Sequence, residues 1–271
     1  MLWRHWLNKS LRSDDLQPFR PIFIMKSIDL NCDLGEGLAT DAEIIPLISS
    51  ANIACGYHAG DVDTMKRTIA LCLQHNVHIG AHPSWPDKEH FGRTEMHKSA
   101  AEITDLMLEQ LQLINKTAKQ LGATITHVKP HGALYNQSAK EIAVAAAIAD
   151  AVQLFNPSLV VFGLSGSLSI SIAKQRGLQT ASEVFADRSY TDEGNLTPRS
   201  QPNALIESID TAVEQALRMI QQQTVISTSG KSIPVVADTI CLHGDCKHAV
   251  DFCKAIVEHL KQNQIDIKPI A

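Results

Sequence analysis

Lys129, His131 and Tyr135 fall within the stretch HVKPHGALY, His127 to Tyr135, just after the apolar run Ile125 to Val128. Pro130 has no N–H to give to a sheet and biases the residue before it towards extended backbone. The strand is therefore expected to end at Lys129, with an ammonium and an imidazole on its C-terminal edge. That edge is where α/β proteins bind ligands. A single stretch of this kind could equally be a hydrogen-bonded strand end with no ligand, but the arrangement recurs along the chain. DLGEG holds Asp33 and Glu36, CGYHAGD holds His58, and AHPSWPD holds His82. FADRSY places Asp187 and Arg188 shortly after Glu183, and LHGD holds His243 and Asp245.

These residue types suit two chemistries. Several histidines with one or two carboxylates form the ligand set of a divalent metal that activates water. Lysine as a point charge and arginine as a fork suit a phosphate or carboxylate ligand instead. No compact H-E-x-x-H spacing is present, and among 12 histidines several are expected to be ordinary hydrogen-bonded residues. For Lys129 the plain alternative is an ion pair with Glu183 or Asp187. Two partial motifs are set aside. Gly230-Lys231-Ser232 lacks the first glycine of a P-loop, which would fall at Val225, and no helix obviously follows. Gly163 to Ser167 resembles a nucleophile elbow but ends in serine, and reads better as a strand-to-helix turn with Ser165 or Ser167 as cap.

The elements that must position these loops alternate in type. Strands are expected at 27–32, 51–54, 77–80, 125–128, 159–163, 179–184 and 235–242. Helices are expected at 41–49 with Thr40 as cap, at 61–75 capped by Asp61, and at 99–121 opened by the Ser99/Glu102 capping box. Further helices follow at 138–155, 168–176, 204–222 and 247–262, with a turn or small hairpin at 227–233. Seven strands alternating with helices indicate a parallel sheet, because parallel neighbours need a crossover. An open doubly wound sheet would concentrate its site at one switch point, whereas a closed (β/α) barrel gathers every C-terminal loop at one mouth. Polar turns follow nearly every strand, so the barrel is preferred.

The chain has 271 residues, 44% of them hydrophobic, enough for a sizeable core. Its net charge of −5, without long runs of one sign, makes nucleic acid and anionic membranes poor partners. Six scattered cysteines include no C-x-x-C pair, which points to reduced thiols and a cytoplasmic setting. No apolar run approaches the roughly 18–20 residues that span a bilayer. Residues 1–24 form a charge-interrupted leader unlike a signal peptide, expected to be a loose or non-native tail before Met25, with one barrel domain over 25–271.

DLNCDLGEG, SANIACGYHAGD, IGAHPSWPD with FGR, HVKPHGALY, EVFADRSY with LTPRS, and ICLHGD together resemble the successive signature blocks of the LamB/YcsF family. The resemblance runs in order from about Ile28 to Asp245; Trp85 and Gln201-Pro202-Asn203 depart from the usual family pattern. It implies an irregular seven-stranded β/α barrel of the glycoside hydrolase/deacetylase type. The activity it implies is that of the A component of an ATP-dependent 5-oxoprolinase, cleaving 5-oxo-L-proline to L-glutamate alongside two further subunits. On that resemblance Asp33, Glu36, Lys129 and His131 are expected to be catalytic. Lys129 and Arg188, with Asp187 beside them, would hold the phosphates of ATP or the substrate carboxylate. Asp33, His58, His82 and His131 would bind Mg²⁺ or another divalent metal, with Glu183, His243 and Asp245 elsewhere on the mouth. The alternatives are a stand-alone metal-dependent carbohydrate deacetylase and a component that only binds substrate.

Overall fold

Seven parallel strands close on one another in the computed structural model, which describes residues 26–243 and 248–270. The ring runs β1 (Lys26–Leu34), β2 (Ser50–Ala54), β3 (His78–His82), β4 (Ile125–Val128), β5 (Val160–Leu164), β6 (Thr180–Phe185) and β9 (Thr239–His243), which pairs back to β1. A hairpin, β7 (Thr224–Ile226) with β8 (Ser232–Pro234), lies outside the ring. β10 (Ile265–Ile267) adds in parallel to the beginning of β1. Helices α1 (Asp41–Ile44), α2 (Val62–His75), α3 (Ala100–Gln120), α4 (Gly132–Lys140), α5 (Ile142–Phe155), α6 (Leu168–Gln175), α7 (Ile209–Gln222) and α8 (Ala249–Gln262) make the connections. All seven expected barrel strands form. Among the described residues no helix is long and apolar enough to cross a membrane, and five buried cysteines are free thiols.

Two helix starts were legible in the chain. Asp61 accepts from the Thr64 backbone N–H at 2.7 Å, and Ser99 and Glu102 satisfy each other's backbone as a capping box. Four boundaries differ from expectation. Pro46 sits in a 3₁₀ turn, Ile45–Leu47, that ends the first helix early, and the Thr40 side chain makes no cap bond. The helix expected at 138–155 is two: α4 begins at Gly132, and the chain turns extended at Glu141 before α5. α7 starts at Ile209, where Ser208 accepts from Thr211 N, rather than at residue 204. The last barrel strand starts at Thr239, because Val235 N bonds Gln223 outside the ring. Gly230 and Lys231 lie in the β7–β8 turn with no helix after them, as the rejection of a P-loop requires.

Side chains alternate across a strand, so β1 sends Asp29, Asn31 and Asp33 to one face, and that face is the barrel interior. All three are buried. They meet Asn52 of β2, His127 of β4, Glu183 of β6 and Thr239 of β9 in a continuous set of hydrogen bonds. The apolar core lies mainly outside the ring, between strands and helices. A separate cluster of Val160, Phe162 and Ala181 fills part of the remainder, with His127 stacked on Phe162 at 4.3 Å between centroids. Gly80 makes room for that ring: a Cβ there would stand 2.1 Å from His127 Nε2.

Candidate active site

Lys129 follows β4 directly, and its side chain turns into the barrel rather than out to solvent, leaving it 2% exposed. Nζ donates to Asp33 Oδ1 at 2.9 Å, Cys241 Sγ at 2.9 Å and Asn31 Oδ1 at 3.2 Å, and forms an ion pair with Glu183 Oε1 at 2.8 Å. Burial works to strip its proton, but the charges of Asp33, Cys241 and Glu183 outweigh burial and hold the ammonium well above its usual pKa. Asp33 is the mirror case. Burial would raise its pKa, and the charges of His82 and Lys129 hold it well below the carboxylate range. Lysine thus stays charged between two carboxylates, and it pairs with Asp33 and Glu183 rather than Asp187. Among the described residues, nothing stands in hydrogen-bond geometry to Glu183 Oε2 or to the nearby Tyr135 hydroxyl. Burial, then the charge of Glu183, pushes the Tyr135 phenol pKa well up.

One layer further towards the mouth, Glu36, His58, His82 and His131 come together from four different loops. Glu36 sits between Gly35 and Gly37, both at positive φ, just beyond β1. His58 lies in the turn after β2, His82 ends β3, and His131 caps α4. The α4 start is fixed by the 81–94 loop: Ala133 N bonds Gly92 O at 2.9 Å, and a Cβ on Gly132 would meet that oxygen at 2.4 Å. The His58 and His131 rings stack at 3.8 Å, with His82 edge-on to both and Phe91 packed edge-on against both.

The outer ring nitrogens of these histidines define their tautomers. His82 Nδ1 faces Lys129 O at 2.7 Å and His131 Nε2 faces Phe91 O at 2.9 Å. A carbonyl only accepts, so both nitrogens carry hydrogen. His58 Nδ1 faces Ser84 Oγ at 2.9 Å, and that hydroxyl already donates to Trp85 O. It must therefore accept from His58 as well. Burial pushes the pKa of His58 down to about 2 and, helped by the neighbouring imidazoles, lowers that of His131 well below its ordinary value. The inward nitrogens face one another and two carboxylates. His82 Nε2 and His131 Nδ1 stand 2.9 Å apart, His58 Nε2 is 3.1 Å from Glu36 Oε1, and His82 Nε2 is 3.2 Å from Asp33 Oδ2.

Among the described residues two groups of donors are close enough to share an ion: Glu36, His58, His82 and His131, and Asp33, Cys241 and His243. The second already has the Lys129 ammonium against Asp33 and Cys241. The structure thus brings Asp33, Glu36, His58, His82, Lys129, His131 and Glu183 together. Asp187 instead pairs with His243 Nδ1 at 2.8 Å. Arg188 is buried, with Nε and Nη2 donating to the Ala204 and Thr197 carbonyls, so it braces a loop. Asp245 lies outside the described residues. Sequence reasoning passed over Asn31, Asn52, His127 and Cys241, although polar residues at every second position of β1 signalled an interior polar layer. A cleft of about 480 Å³ lined by Glu207, Asp210, His248 and Phe252 contains none of the site residues.

A family model described as the LamB/YcsF family matches residues 28–271. The chain is 49% identical over 243 residues to the A component of 5-oxoprolinase from Haemophilus influenzae (strain PittEE), covering 90% of this chain and 99% of that one. It is 47% identical over 249 residues to the corresponding 5-oxoprolinase component from Tolumonas auensis, covering 90% and 99%. The crystal structure of a lactam utilization protein from Thermus thermophilus superposes with a TM-score of 0.85 at 37% identity, covering 90% of this chain and all of that one.

Proposed function

This chain belongs to the LamB/YcsF family, and from that premise we propose that it is the ring-opening subunit of an ATP-dependent 5-oxoprolinase. Its substrate on this reading is 5-oxo-L-proline, its product L-glutamate, and its partners two further subunits. A five-membered lactam is a stabilised amide with a poor leaving group. Transfer of the ATP γ-phosphoryl group to the lactam oxygen makes the ring carbon electrophilic. Water then adds to that carbon, the C–N bond breaks, a base takes the water's proton and an acid protonates the departing nitrogen. A second water releases phosphate from the resulting acyl phosphate.

The observation that carries the division of labour is the state of the cations. Lys129 is held by two carboxylates, and Arg188 by two backbone carbonyls. Neither is placed to clamp a triphosphate. Carboxylates and imidazoles dominate the mouth, which suits proton transfer to and from water and nitrogen. We assign the water-handling step to this chain, with the Glu36 cluster at its centre, and phosphoryl transfer to the partner subunits.

Reconstitution with the two partner subunits tests this, following ADP and glutamate release together. The three-subunit complex should release both in a 5-oxoproline-dependent way. With Glu36→Gln, glutamate release should fall by about 10²-fold or more, the scale of losing one preorganised catalytic contact, while ADP formation falls less. An assembled complex without 5-oxoproline-dependent glutamate release would overturn the proposal. Equal loss of both products would move Glu36 into the phosphoryl-transfer step.

A further inference from the structure

Three imidazole nitrogens and a carboxylate oxygen converge at these distances from the ends of β1, β2, β3 and β4, an arrangement that one bound cation would satisfy. We propose that Glu36, His58, His82 and His131 form a site for one divalent first-row transition ion of the zinc type. The outer nitrogens of all three rings are fixed as donors by Ser84 Oγ, Lys129 O and Phe91 O. Such outer partners, which lock tautomer and ring orientation, are characteristic of metal-ligating histidines. One cation between them would satisfy both close pairs, His82 Nε2 with His131 Nδ1 and His58 Nε2 with Glu36 Oε1.

The spacing fits as well. Ligands at about 2.0–2.1 Å from a tetrahedral ion lie roughly 3.3–3.4 Å from one another. Here His82 Nε2 to His131 Nδ1 is 2.9 Å, His58 Nε2 to Glu36 Oε1 is 3.1 Å, and His131 Nδ1 to Glu36 Oε1 is 3.6 Å. All four donors lie within 4.8 Å of one another. Three nitrogens and one oxygen select a borderline ion; Mg²⁺, which prefers oxygen ligands and keeps its waters, is poorly served. The set differs from the one expected from sequence, because Glu36 rather than Asp33 completes it. Asp33 Oδ2 faces His82 Nε2 at 3.2 Å but falls outside the four-donor group, and its other oxygen holds Lys129.

Elemental analysis of the full-length chain, then chelator stripping and titration with Co²⁺ followed by its visible absorption, tests the site. We expect one equivalent of Zn²⁺ or Co²⁺, with the intense bands of a four-coordinate ion, and no displacement by millimolar Mg²⁺. His131→Ala and Glu36→Gln, checked for native circular dichroism, should weaken Co²⁺ binding by more than about 100-fold, beyond the cost of losing an outer partner. His243→Ala, in the neighbouring donor group, should bind as the wild type does. A wild-type chain that takes up no stoichiometric Zn²⁺ or Co²⁺ would refute the site, as would His131→Ala binding normally or His243→Ala abolishing binding. The titration needs no substrate, nucleotide or partner subunit, so its failure leaves the 5-oxoprolinase proposal standing.

Discussion

Asp33 belongs to two groups of charged residues. Its Oδ1 takes a hydrogen bond from Lys129, inside the barrel, where an ammonium sits against two carboxylates, an amide oxygen and a thiol. Its Oδ2 faces His82 Nε2 at 3.2 Å, on the edge of the group formed by three imidazoles and the Glu36 carboxylate. Both groups are buried and lie on consecutive layers of one barrel. The inner one carries its own cation, so its residues stabilise one another and have little left to offer a ligand. The outer one is held by two backbone carbonyls and a serine on its outer nitrogens, and its inward nitrogens converge with Glu36 closely enough to share an ion.

The strongest way to break this contrast is to remove the inner cation. Lys129→Met would leave Asp33 and Glu183 facing each other without compensation. Losing one partner of a buried ion pair typically costs about 3–5 kcal/mol, so the melting temperature should fall by on the order of 10 °C for a chain of this size. Turnover of the complex should also fall, because Asp33 would no longer be held in place. Adding Glu183→Gln to Lys129→Met should restore part of the stability and little of the turnover. A single variant that melts like the wild type would mean that Lys129 is not the counter-ion the inner layer depends on.

The inner layer also shows why part of the site was hidden in the sequence. The seven strands, the barrel and the Asp61 and Ser99 caps follow from local patterns: apolar runs, polar turns and capping spacings. Glu36, His58, His82 and His131 stood out because each lies in a polar turn after a strand. What local pattern cannot give is which turns meet. Arg188 looked as available as Lys129, yet its guanidinium is occupied by the carbonyls of Thr197 and Ala204, contacts set by how the 188–205 loop folds on itself. Asn31, Asn52 and His127 lie within the signature blocks but on strands, where no local pattern marks them; they matter because ring closure brings three strands' inward faces together.

Gly80→Ala tests that closure at its tightest point. Its Cβ would fall 2.1–2.5 Å from three atoms of the His127 ring, which is stacked on Phe162 and bonded to Asn52 and so cannot swing aside. Overpacking of this kind costs roughly 1–3 kcal/mol, measurable by urea unfolding. Combined with His127→Ala, it should cost clearly less than the two losses added together, since the clash disappears with the ring. Additive losses would mean that Gly80 is needed for its backbone and not for the space it leaves.

His127 provides the subtlest distinction, because it is a buried imidazole that the inner layer keeps neutral. Burial, reinforced by the charges of His78 and Lys129, lowers its pKa from 6.5 to about 3. The unfolded chain takes up a proton near pH 6.5, while the folded chain does not until about pH 3. Stability from this group is therefore complete above the unfolded pKa and is lost as pH falls towards the folded one, at about 1.4 kcal/mol per pH unit. His127→Gln keeps an N–H for Asn52 Oδ1 and removes the titration. Its unfolding free energy, measured in urea from about pH 7.5 to about pH 4.5, a window that spans the unfolded pKa, should start below the wild type and decline less steeply. The slope difference should approach one proton. The histidines at the mouth are the same in both proteins and cancel in that difference. Parallel curves would show that His127 accepts a proton inside the folded barrel as readily as in water, and the inner layer would then be less closed than its hydrogen bonds imply.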